Sequence, residues 1–79
     1  MKSSFQDITL DTDGTDDRAV LVLREGRLTA ILSHLGALHG EKAGMWYLET
    51  MFGATPAMPR HMFEDPKEFV AWLDDQRLQ

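Results

Sequence analysis

Arg18-Ala-Val-Leu-Val-Leu-Arg24-Glu25-Gly26-Arg27-Leu-Thr-Ala-Ile-Leu-Ser-His34 is the stretch whose reading decides the fold. Two apolar runs flank the dipeptide Glu25-Gly26, which reads as a β-hairpin. Gly26 suits the positive φ of a two-residue turn, whereas Glu25 is less at ease there than Asn or Asp. With that loop, Arg24 faces Arg27 and Leu23 faces Leu28. Cross-strand partners share a face, so Ala19, Leu21, Leu23, Leu28, Ala30 and Leu32 group on a wholly apolar side. Arg18, Val20, Val22, Arg24, Arg27, Thr29, Ile31 and Ser33 group on a mixed side. A three-residue loop with Gly26 in a bulge would shift the register and mix the faces. The two-residue loop sorts them better and is preferred. A helical stripe competes over the second run, through Leu28, Ile31, Leu32, Leu35 and Leu38. The strand reading is preferred for 27–34.

Working outward, Phe5-Gln-Asp-Ile-Thr-Leu10 is a short candidate strand within an acidic segment, residues 1–17. Asp11-Thr-Asp-Gly-Thr-Asp-Asp17 resembles half of a calcium loop. It fails in detail, because placing Gly14 at position 6 puts Thr9 at position 1 and Val20 at position 12. A solvated turn of Asx residues is the expectation. On the other side of the hairpin, residues 36–44 hold three glycines and read as a loop or irregular turn. Residues 45–52, Met-Trp-Tyr-Leu-Glu-Thr-Met-Phe, read as a strand because of their aromatic content. Helix formers among them favour the alternative. Residues 54–62 contain Pro56-Ala-Met-Pro59 and read as an extended connector. The same P-x-x-P pattern could dock in an aromatic groove.

The C-terminal element has the most complete local chemistry. Asp65-Pro66-Lys67-Glu68 supplies an N-cap, a proline at the first helical position and an acid at the third. Phe69, Val70, Trp72 and Leu73 form an apolar stripe on the helix 66–77, and Leu78 and Gln79 should fray. The expected architecture is therefore α+β. A small antiparallel sheet of three or four strands (hairpin 18–34, strand 45–52 and the segment 5–10) packs one face on the C-terminal helix, with 18–79 as a single domain.

Composition narrows the function classes. The chain has 79 residues, 43% of them apolar, and two tryptophans, which favours a folded domain. A core this small supplies about 3–5 kcal/mol. Cysteine is absent, so no disulfide or thiolate site can add to it. The N-terminus lacks an apolar signal region, no apolar run nears a membrane span, and a cytoplasmic location is expected. Net charge is −5, split as −4 over residues 1–17, +2 over 18–60 and −3 over 61–79. Arg18, Arg24 and Arg27 are a thin basic surface for a nucleic acid, which argues against that partner.

Catalytic chemistry is hard to assemble. Ser33 and His34 are adjacent, and strand neighbours point to opposite faces, so no dyad can form. His34, His39, His61 and Glu49 are the metal-ligand inventory, and their spacing matches no known ligand pattern. No cofactor is implied. The mixed face carries the functional expectation instead. Arg18, Val20, Val22, Arg24, Arg27 and Ile31 combine apolar and arginine side chains of the kind enriched at interfaces. They are expected to mediate homodimer formation or another protein contact, so that Val22→Asp gives a folded monomer. The N-terminal segment or the 54–62 connector covering this face is the bland alternative. A second functional reading places a small-ligand pocket, which could support catalysis, at Tyr47 and Glu49, with Glu49 paired to Arg24 or Arg27.

Overall fold

The computed structural model describes residues 2–11, 17–53 and 61–77. Five strands, β1 (Ser3–Thr9), β2 (Arg18–Arg24), β3 (Arg27–His34), β4 (Trp46–Met51) and β5 (Met62–Phe63), form one antiparallel sheet in sequential order. The helix α1 (Pro66–Arg77) follows β5. The fold is α+β with a C-terminal helix packed on a sheet, as expected from sequence, with five strands rather than three or four. The added strand, β5, is two residues long and pairs Trp46 with Phe63 and Tyr47 with Met62. The N-terminal strand runs 3–9 rather than 5–10 and lies at the sheet edge beside β2. It extends the sheet instead of covering a face. Residues 37–42 make short 3₁₀ turns broken at Gly40. The anticipated acidic turn, the P-x-x-P connector and the fraying C-terminus fall largely or wholly outside the described residues.

The hairpin turn forms at the anticipated place. Glu25 and Gly26 take φ of 57° and 77°, and Leu23 pairs with Leu28 and Arg24 with Arg27. Positive φ at both central residues matches the right-handed twist of the strands they join. Beyond the turn the ladder departs from the simple register. Val22 pairs with Ala30, so Thr29 is an extra residue, a β-bulge. A second register shift, between Ile31 and Leu32, leaves Glu49 as the extra residue in β4.

The first bulge corrects the expected face assignment. It brings Val20 and Val22 of β2 into line with Leu32 and Ala30 of β3 on one face. On the opposite face Leu21 meets Ile31 and Leu23 meets Leu28. The valines, placed on the mixed face by a straight ladder, are in fact the core. Val20, Val22, Ala30, Leu32, Trp46, Leu48 and Phe63 of the sheet are buried with Phe69 and Leu73 of α1. Phe63, Phe69 and Trp72 form an aromatic cluster with ring centroids 5.2 to 6.0 Å apart. Burial of each large side chain here contributes about 1.5–3 kcal/mol before ordering entropy is subtracted.

The helix starts where its capping chemistry requires. Asp65 accepts the Glu68 N–H at 2.9 Å through Oδ1. Glu68 Oε2 accepts the Glu64 N–H at 3.1 Å, one residue ahead of the cap. Phe69, Val70, Trp72 and Leu73 then face the sheet, as their 3.6-residue spacing dictates.

Candidate interaction face

The sequence singled out six residues as one interaction face, and the register separates them. Arg18, Val20, Val22, Arg24 and Arg27 lie on the helix side of the sheet, and only Ile31 lies on the opposite side. Val22 is fully buried, so Val22→Asp would place a carboxylate in the core rather than on a contact surface. Arg18 is exposed, with its guanidinium 5.5 Å from the centroid of the Trp46 ring. Arg24 is 5% exposed and bonds Asp74 of α1 through Nη2. Its Nε and Nη1 are buried without a hydrogen-bond partner among the described residues. The expected pairing of Glu49 with a hairpin arginine is replaced by this bond across the core.

Tyr47 and Glu49 sit on the side away from the helix. Ser33 Oγ donates to Glu49 Oε2 at 2.6 Å, which anchors the bulged glutamate. Tyr47 is 38% exposed and stacks with His61 at 5.9 Å between ring centroids. His34 lies across from Trp46 in the neighbouring strand, with ring centroids 5.0 Å apart. Ser33 and His34 therefore point to opposite faces. Among the described residues no three His, Asp or Glu side chains gather to hold a metal ion.

The face opposite α1 is built from all five strands. Ser4, Gln6 and Ile8 come from β1, Ala19, Leu21 and Leu23 from β2, and Leu28, Ile31 and Ser33 from β3. Tyr47, Glu49 and Thr50 of β4 and Met62 of β5 complete it. Leu21, Leu23 and Ile31 are half-buried, and Leu28 is 39% exposed. Glu49 is the one side chain of this set that carries charge at neutral pH, in a chain that is 27% charged. An aliphatic patch spread over three adjacent strands and depleted in charge matches the core of a protein interface.

Among the described residues two open hollows lie outside this patch, the first meeting it only at Leu28. One, of about 470 Å³, is lined by Arg24, Arg27, Thr29 and Phe52 with their neighbours at the hairpin end. The other, of about 390 Å³, lies between Phe5, Arg18, Val20 and Trp46 and the start of α1. Neither is lined by Tyr47 or Glu49. Sequence reasoning missed Phe52 and Thr29, because only the bulge brings the end of β4 beside the turn: the Phe52 N–H donates to the Thr29 carbonyl at 2.8 Å. No described helix is long and apolar enough to cross a membrane. No family model matches the chain, and neither a curated protein nor a solved structure matches it.

Proposed function

We propose that this chain is a small non-catalytic interaction module, cytoplasmic in setting, that pairs with a second copy of itself through the sheet face opposite α1. The aliphatic row Leu21, Leu23, Leu28 and Ile31, with Tyr47 at its flank, carries the proposal. Charge selects the occupant. The chain as a whole is at −5, and two copies repel at most orientations. The charge-poor face is where they can meet without like-charge contact. A two-fold axis through it would set the same row against itself, the commonest arrangement of soluble oligomers. The cytoplasmic setting rests on the cysteine-free composition.

The face also sets the strength of the contact. Four strands about 4.8 Å apart and roughly 20 Å long, with the two-residue β5 beside them, present on the order of 400 Å². Two copies would bury roughly 800 Å² in total, the size of a weak, transient contact. The association is therefore a weak one, in the micromolar range. Sedimentation equilibrium from micromolar to millimolar concentration tests it, with wild type compared to Leu21→Asp. Wild type should shift from monomer to dimer over that range, and Leu21→Asp should stay monomeric with unchanged circular dichroism. A wild type that remains monomeric at millimolar concentration rejects the proposal, as does a Leu21→Asp protein that dimerises equally well.

A further inference from the structure

The hollow at the hairpin end has features that a structural role does not require. Arg24 and Arg27 stand directly opposite one another across β2 and β3. Like charges in that arrangement destabilise a strand pair. Arg24 is almost wholly buried, yet Nε and Nη1 have no acceptor among the described residues. Buried donors in folded proteins nearly always find one. Both arginines line a hollow of about 470 Å³, within the size range of small-molecule sites. Leu28 and Phe52, two of the large apolar side chains this domain leaves exposed, line it as well.

We infer that this hollow binds a small monocarboxylate with an apolar body, its carboxylate toward Arg24 and Arg27 and its body against Leu28 and Phe52. Charge counting favours one negative charge over two. Asp74 already neutralises one guanidinium, and Glu25 adds a carboxylate to the lining. These four charges cancel, so a monoanion leaves the hollow at −1 and a dianion such as phosphate leaves it at −2, with the apolar side chains unused as well. The buried Thr29 carries the bulge that sets Phe52 beside the arginines, through the backbone bond between them. The site shares only Leu28 with the aliphatic row of the opposite sheet face; Arg24, Arg27, Thr29 and Phe52 lie outside that row, so the titration is run below the concentration at which copies would pair.

The test is an NMR titration of the full chain with hydrocinnamate, following the arginine Nε–H signals and the amides of residues 24–29, 52 and 53. Hydrocinnamide, its neutral isostere, and inorganic phosphate are titrated in parallel. Saturable shifts confined to those signals are expected with the acid. The amide should bind roughly tenfold more weakly, since hydrogen bonds to charged groups are the stronger class. Arg27→Gln and Phe52→Ala, both at exposed positions, should each weaken hydrocinnamate by roughly tenfold while the rest of the spectrum is unchanged. Arg24→Gln should abolish it if the protein stays folded. Absence of saturation at millimolar acid overturns the inference. Equal binding of acid and amide, or phosphate binding as tightly as the acid, overturns it as well.

Discussion

Replacing Arg24 with methionine should stabilise this domain. The guanidinium has nitrogen donors at Nε, Nη1 and Nη2, and among the described residues only Nη2 has a partner, Asp74. Each buried donor left without an acceptor costs about 1–3 kcal/mol. The ion pair returns little, because Asp74 is 42% exposed and the bond is screened from that side, a geometry worth about 0–1 kcal/mol. Two orphaned donors therefore outweigh the pair. Methionine keeps most of the buried chain length and removes both donors, so Arg24→Met should add about 1–2 kcal/mol. For a domain of this size each kcal/mol raises Tm by about 4–8 °C. Breaking the pair from the other side has the opposite sign. Asp74→Ala leaves the guanidinium buried and unpaired and should cost about 2 kcal/mol, below the value for a fully buried pair because Asp74 is half in water.

Urea and thermal unfolding followed by circular dichroism would measure both variants. Protein concentration must be held fixed, since a self-associating chain has a concentration-dependent midpoint. If Arg24→Met lowers stability by more than about 1 kcal/mol, the two donors are satisfied in solution and the reasoning fails. Failure here would weaken the carboxylate site too, because that site uses the same arginine. Success would place Arg24 among residues retained at a cost to stability, where a binding role is the usual reason.

Two further substitutions test the local devices that start the hairpin and the helix. Glu25 holds φ of 57°, which costs a side chain with a Cβ about 1 kcal/mol and costs asparagine less. Glu25→Asn should therefore raise the urea midpoint, equivalent to about 0.5–1 kcal/mol, with an unchanged m-value. Asp65→Ala removes the side-chain acceptor for the Glu68 N–H, leaving only the Asp65 carbonyl at 3.1 Å, and should cost about 1 kcal/mol in the same assay, with the loss seen first as faster amide exchange at the start of α1.

The parts of this fold that were legible in the sequence are the parts decided by neighbours along the chain. The turn at Glu25-Gly26 and the cap at Asp65 are set by a few adjacent residues, and both form where their chemistry implies. The boundaries of the hairpin and of α1 follow from them. The bulges at Thr29 and Glu49 have no such local signature. Each is one extra residue in a ladder, and its position depends on which side chains of two strands must share a face. The apolar pattern could not choose, because 19–23 is apolar throughout and makes sense on either side. Removing Thr29 from the pairing turns the valines from surface to core, which is why the interaction residues drawn from a straight ladder came out on the helix side. β5 was too short for any periodicity, and its Phe63 is recognised as core only through its partners Trp46, Phe69 and Trp72.

The same geometry explains why, among the described residues, only one of the sheet's two apolar faces is sealed by a helix. A helix of 12 residues is about 18 Å long and roughly 10 Å across. Five strands spaced about 4.8 Å apart are wider than that by about a factor of two. The helix covers the middle of one face, through Phe69 and Leu73, and leaves Phe5 at the β1 edge 39% exposed beside the hollow floored by Val20 and Trp46. Among the described residues nothing of this width covers Leu21, Leu23 and Ile31. A chain that spent its apolar residues only on its own stability would place polar groups at those positions, as alternating strands do when one face meets water. Aliphatic side chains there, with Glu49 as the sole charge among the described residues of that face, are therefore better accounted for by a contact made outside the monomer than by the needs of the fold.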